Sequence, residues 1–221
     1  NGDDDIRYRG EATGLTSFNL GAGADWIWLD VASGPVSLTL GSGQDVIEHS
    51  FYFGPAAPFF PLTVTDFTVG DAGDRFDLLP WLNTLLTNWD HSINPFSTGH
   101  IRARQSGADT IIEVDLDGGG NGYSNFAILQ NVTATTLTAF NIAGYKADGS
   151  VTPGQTINGT PDIDELFGTT GNDIINGQGE LDIIHAGPGD DQITDMIGGD
   201  IIYGDGGNDT VIIGSAVDGG E

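Results

Sequence analysis

Aspartate returns every nine residues along the C-terminal part of the chain, at Asp164, Asp173, Asp182, Asp191, Asp200 and Asp209. Two positions after each stands an apolar side chain: Leu166, Ile175, Ile184, Ile193, Ile202 and Val211. A short fixed period marks a chain that stacks one small structural unit on itself. Glycine precedes most of the aspartates, as in Gly171-Asn172-Asp173, Gly189-Asp190-Asp191 and Gly207-Asn208-Asp209. Asp162 and Glu180 stand where two further glycines are expected. The glycine-rich positions make a turn, because glycine tolerates positive φ, and the rest make a short strand with its central apolar residue inward. Two nonapeptides then complete one coil of a parallel β-roll, so turns on one edge recur every 18 residues. Asp164, Asp182 and Asp200 line one edge, and Asp173, Asp191 and Asp209 the other.

Such stacking brings like charges together, and the whole chain is acidic: 32 Asp plus Glu against 6 Lys plus Arg, a formal charge of −26. A compact chain this acidic repels itself unless something neutralises it. The same balance argues against a nucleic-acid partner, which needs a basic patch. Acids serving only as a solubilising coat would be scattered, whereas many here recur at fixed intervals beside glycines. With no cysteine, neither disulfides nor thiolate metal sites are available. No apolar run approaches the roughly 18 residues of a membrane span, so membrane insertion is not expected.

The repeat resembles the RTX (repeat-in-toxin, hemolysin-type) nonapeptide, glycine-glycine-x-glycine-x-aspartate-x-apolar-x. That resemblance implies several calcium ions held between stacked turns. Each would take carboxylate oxygens from Asp164, Asp173, Asp182, Asp191, Asp200 or Asp209 and turn carbonyls from residues such as Gly171, Gly189 and Gly207. Calcium accepts 6–8 oxygen ligands in flexible geometry, which suits such a cradle. The competing reading is a calcium-free solenoid with solvated acids, although serine or asparagine would serve a plain turn equally well.

Gly21-Ala22-Gly23-Ala24-Asp25-Trp26-Ile27 and Gly41-Ser42-Gly43-Gln44-Asp45-Val46-Ile47 repeat one motif at a spacing of twenty, with a partial copy at Gly2-Asp3-Asp4-Asp5-Ile6. Val36-Ser37-Leu38-Thr39-Leu40 between them alternates as a half-buried strand. A longer coil with ions on one edge only is expected, using Asp4, Asp25 and Asp45 beside Gly23 and Gly43. If Ile27 faces the core, Trp26 and Trp28 face outward. There they either bind a glycan or protein partner or pack beneath another segment of the chain.

Residues 62 to 142 lose the period. Asp66-Phe67-Thr68-Val69-Gly70-Asp71, Gly73-Asp74-Arg75-Phe76-Asp77, Gly107 to Gly118 and Phe126 to Val132 together resemble the type I secretion target domain of RTX adhesins. The segment is also similar to C-terminal regions of RTX proteases and alginate epimerase modules. A β-sandwich-like cap is expected, with strands at Leu62 to Phe67, Thr110 to Asp115 and Asn125 to Leu129 and a short helix around Pro80 to Leu86. Such a cap covers the edge that a solenoid otherwise exposes. The resemblance places Asp66, Asp74 and Asp77 near the last ion of the roll, and Asp115 with Asp117 reads as a further calcium loop or a solvated hairpin.

The expected architecture is all-β: two parallel β-roll or β-solenoid blocks, at 1–51 and 159–221, flank a β-sandwich-like cap at 52–145, with a linker at 146–158. The chain opens inside a turn-like motif, as a piece of a longer protein would. No catalytic residues are expected: His49, His91, His100 and His185 are isolated, and neither G-x-S-x-G nor a phosphate-binding G-x-x-x-x-G-K occurs. The reading is a calcium-binding structural segment of a secreted or cell-surface RTX protein (an adhesin, surface-layer or filament protein), folding on calcium after type I secretion. Its partners would be calcium and head-to-tail copies or neighbouring RTX modules. The alternative is a calcium-binding accessory module of an extracellular protease, polysaccharide lyase or epimerase.

Overall fold

The computed structural model describes residues 2–11, 14–51, 61–77, 85–89 and 93–214. It divides into two compact units, one of residues 1–89 and 95–149, the other of 90–94 and 150–221. Regular structure among the described residues is almost wholly β, with a single-turn 3-10 helix at Ala134–Thr136.

The first unit opens as a solenoid. Strands β1 (Asp5–Glu11), β3 (Trp26–Ser33), β5 (Val46–Phe51) and β7 (Arg75–Asp77) stack in parallel on one side. On the other side β2 (Thr16–Ala22), β4 (Val36–Ser42) and β6 (Leu62–Val64) do the same. β4 alternates as the sequence does, so Val36, Leu38 and Leu40 are buried while Ser37 and Thr39 are only partly covered. Ile27 and Ile47 pair in register and are fully buried. Successive turns touch backbone to backbone: Gly43 has φ +142°, and a Cβ there would overlap the carbonyl oxygen of Gly23.

The expected cap strands form at β6, β9 (Asp109–Val114) and β10 (Ser124–Leu129), with β8 (Ile101–Ser106) completing an antiparallel run. β10 pairs in parallel with β6, so the sheet runs β2-β4-β6-β10-β9-β8. The cap therefore covers the solenoid's open edge by extending its sheet. Phe67, Phe76, Ile101 and Phe126 share one core with Ile27 and Leu38, so residues 1–51 and the segment after them are continuous in both sheet and core. The helix expected around Pro80 to Leu86 lies mostly outside the described residues.

In the second unit the nine-residue period becomes two parallel sheets. β11 (Thr156–Asn158), β13 (Ile174–Asn176), β15 (Gln192–Asp195) and β17 (Thr210–Ile213) form one. β12 (Glu165–Phe167), β14 (Ile183–His185) and β16 (Ile201–Tyr203) form the other. Every registered pair is 18 residues apart, as Ile175 with Ile193 and Ile184 with Ile202. Ile175, Ile184 and Ile193 are fully buried, Ile157, Leu166 and Ile202 pack against them, and Val211 on the last strand is exposed. The roll begins earlier than the sequence indicated, because β11 falls inside the expected linker at 146–158. The cause is a first turn without its aspartate: Gln155 stands where Asp173 stands one coil later, and its N–H donates to Asp173 Oδ1 at 2.6 Å.

Because its side chain is fully buried between coils, Ile184→Ala is expected to destabilise the calcium-saturated chain by about 2–5 kcal/mol. Ile201→Ala, on the exposed face of the neighbouring strand, is expected to shift it by about 0.5 kcal/mol or less. Chemical denaturation in excess calcium measures both, and equal losses would contradict the inward assignment of the apolar row.

Candidate metal centre

In the roll, every periodic aspartate with a coil above it grips that coil's backbone. The Asp164 N–H donates to Asp182 Oδ1 at 2.9 Å, and the Asp182 N–H donates to Asp200 Oδ1 at 3.1 Å. On the other edge the Asp173 N–H donates to Asp191 Oδ1 at 2.7 Å, and the Asp191 N–H to Asp209 Oδ1 at 3.1 Å. The two aspartate rows expected from the period are thus two continuous ladders. Gly171, Gly189 and Gly207 stack beside the second. At Gly207, φ is +126° and a Cβ would overlap the Gly189 carbonyl oxygen, so only glycine lets the turns approach this closely.

The second oxygen of each carboxylate separates the turns into two kinds. Asp164 Oδ2 accepts from the Thr160 N–H and hydroxyl, and Asp173 Oδ2 from the Thr169 N–H at 2.6 Å. These first turns close on themselves. Four residues before Asp182 and Asp191 stand Gln178 and Gly187 instead, and Oδ2 of Asp182 and of Asp191 is buried with no hydrogen-bond partner. A buried carboxylate oxygen without a donor is costly unless a cation meets it. The donors here are oxygens only, which suits a hard cation such as calcium rather than zinc or copper.

The N-terminal solenoid repeats the device. The Asp4 N–H donates to Asp25 Oδ1 at 2.8 Å and the Asp25 N–H to Asp45 Oδ1 at 2.9 Å. Oδ2 of both Asp25 and Asp45 is buried without a partner, while Asp4 is exposed. The ladder runs one step beyond the sequence reading: the Asp45 N–H donates to Asp74 Oδ1 at 3.1 Å. Asp74 Oδ2 accepts the Thr68 N–H at 2.7 Å, which closes this end with backbone. Gly23 and Gly43 lie two residues before Asp25 and Asp45, each at positive φ and against the backbone of the preceding coil.

The other candidates are placed differently. Asp66 sits on the opposite edge and spends both oxygens on the Leu40 and Gly41 N–H groups, at 2.8 and 2.9 Å. Asp77 is a strand residue registered with Glu48. Asp115 Oδ2 accepts the Asn121 and Gly122 N–H groups at 2.8 and 3.1 Å while Asp117 is exposed, the geometry of a backbone-closed hairpin. Trp26 and Trp28 do face away from the core and are half-buried, with the Arg7 guanidinium 5.2 Å from the Trp26 ring centroid. Sequence reasoning missed Asn141, fully buried, whose Oδ1 accepts the Gly70 N–H at 2.9 Å and whose amide donates to the Asp74 carbonyl at 2.7 Å. It also missed Asp195, buried with neither oxygen partnered.

Stacking raises the affinity of these carboxylates for protons. Burial, then the charges of Asp173, Asp209 and Asp205, push Asp191 up to about 7 against the pull of the Asp173 N–H. Burial and the Asp45 charge take Asp74 to about 6. Asp45 and Asp209 are raised as well, first by burial. Metal-free folded turns therefore hold protons that an unfolded chain, with aspartate near 3.9, releases. Their contribution to stability is fully present below about pH 4 and is lost as pH rises through about 7. In chelator, the roll is expected to show more β-structure by circular dichroism at pH 5 than at pH 8, and Asp191→Asn to shrink that difference. Calcium binding at pH 7 is expected to release protons, seen as buffer-dependent heat in titration calorimetry. A chelated chain insensitive to pH would contradict the assignment.

The family model for the RTX calcium-binding nonapeptide repeat matches residues 158–193 and 179–211, with 4 copies. No curated protein matches the chain in sequence. Among solved structures, the solution structure of the AlgE6R3 subunit from the Azotobacter vinelandii mannuronan C5-epimerase is similar at 22% identity, covering 63% of this chain and 78% of that chain with a TM-score of 0.23. The family match falls on the coils of the C-terminal roll, and over residues 158–211 the chain carries the RTX calcium-binding nonapeptide repeat wound as a β-roll.

Proposed function

We propose that the chain is a calcium-stiffened structural segment of a secreted protein, without catalytic activity of its own, that folds when it meets calcium outside the cell. The observation that carries this reading is the set of buried, unpartnered carboxylate oxygens on Asp25, Asp45, Asp182 and Asp191, each on a ladder that ties one coil to the next. Those oxygens repel one another in a metal-free coil and hold the coils together around a divalent cation. In a cytosol poor in free calcium, a chain of charge −26 stays extended and fit for export. In calcium-rich surroundings ion binding supplies folding free energy. Folding on the far side also favours one-way passage through a type I secretion channel. No helix among the described residues is long and apolar enough to cross a membrane.

Calcium titration followed by far-UV circular dichroism tests the reading. The expected result is a cooperative gain of β-structure, reversed by chelator. Magnesium is expected not to reproduce it, because that ion holds its waters and demands tighter octahedral geometry. A spectrum unchanged by calcium would overturn the proposal.

A further inference from the structure

The glycine that opens each nonapeptide has a specific relation to the aspartate five residues on. A Cβ built on Gly159 would lie 2.8 Å from Oδ2 of Asp164, on Gly168 2.9 Å from Oδ2 of Asp173, and on Gly177 2.8 Å from Oδ2 of Asp182. A Cβ on Gly204 likewise meets Asp209 Oδ2. At this backbone position the side-chain direction aims into the carboxylate site of the same turn. Glycine leaves that space open in four repeats, and Ala186 puts a methyl there in a fifth. The sixth repeat has Asp195.

Asp195 is only 1% exposed; the Ile197 N–H pulls on its carboxylate, but neither oxygen completes a hydrogen bond. Its Oδ2 lies under Gly177, one coil back, where even a methyl would overlap it. One ligand oxygen each from Asp195, Asp182 and Asp200 lie within 4.8 Å of one another. Asp182 Oδ2 is also buried and unpartnered. Asp182 and Asp200 are consecutive steps of one ladder, and Asp195 enters between them from a position outside the periodic row.

We propose that Asp182, Asp195 and Asp200 form a three-carboxylate site for one hard cation of calcium's size, which fills before the two-carboxylate turns and seeds the roll from its middle. The proposal rests on the calcium reading of the roll. The physical reason is charge: affinity at oxygen-ligand sites rises with the number of carboxylates, and a third one adds attraction for the ion and repulsion in its absence. Neighbouring coils then add to a coil already closed, which avoids starting the stack from a free end.

The test uses the full chain, calcium as the probe, and competition with a chromophoric chelator. Asp195→Gly restores the repeat's own glycine, and Asp195→Asn keeps the shape without the charge. Both are expected to weaken the tightest calcium-binding class by about tenfold or more and to shift the onset of β-structure to higher calcium. Both are expected to reach the wild-type spectrum at saturation. Asp30→Asn removes one carboxylate of the first unit, 2.9 Å from Arg9 Nε and outside the aspartate ladders, and is expected to leave the tightest class within about twofold of wild type. Unchanged tight binding in both Asp195 variants would overturn the proposal while leaving the calcium reading standing. An equal loss in Asp30→Asn would also overturn it. A wild-type chain that binds no calcium would overturn both.

Discussion

A single hydrogen bond, repeated, organises both solenoids: the N–H of an aspartate in one coil donates to the carboxylate of the aspartate in the next. It appears at Asp164 with Asp182 and at Asp173 with Asp191 in the roll, and at Asp4 with Asp25 and Asp25 with Asp45 in the N-terminal block. The bond consumes one carboxylate oxygen and fixes where the other points. In Asp25, Asp45, Asp182 and Asp191 that second oxygen is buried without a donor, whereas in Asp164, Asp173 and Asp74 a nearby N–H meets it. In the function proposed above, the fold and its metal sites come from one interaction.

The ladder tolerates coils of different length because it specifies only the turn. Partners are 18 residues apart in the C-terminal roll and 21, 20 and 29 apart in the N-terminal block. Whatever lies between can be a minimal strand of three residues, as at β14, or the insertion that precedes Asp74. Where no further aspartate follows, backbone takes over: the Thr68 N–H closes on Asp74, and the Asn141 amide ties that turn down through the Asp74 carbonyl. The apolar interior is thin, one residue deep in the roll, so the coil-to-coil polar contacts carry more of the specificity than in a domain with a large core.

The nine-residue rhythm made the roll legible, including the inward row at Ile175, Ile184 and Ile193, because period, turn and core share one register. The twenty-residue spacing located Asp25 and Asp45 for the same reason. Asp74 was harder to place on the ladder since the insertion before it breaks the count, and the position then rests on sheet pairing between β5 and β7. Nor does sequence show that β10 adds to β6, a long-range parallel pairing with no local signature. Gln155 disguised the first coil by lacking the acid that marks the others. Asp195, at a position where four other repeats carry glycine, went unread because its meaning depends on where a Cβ points in the coiled backbone, which only the fold supplies.

The central claim is that the unpartnered carboxylate oxygens exist to meet cations. Crystals grown in calcium and measured at a wavelength where calcium scatters anomalously test this most directly. The account predicts anomalous peaks beside Oδ2 of Asp25, Asp45, Asp182 and Asp191. A well-ordered structure with no peak there, and those oxygens bonded instead to water or to one another as acids, would contradict it.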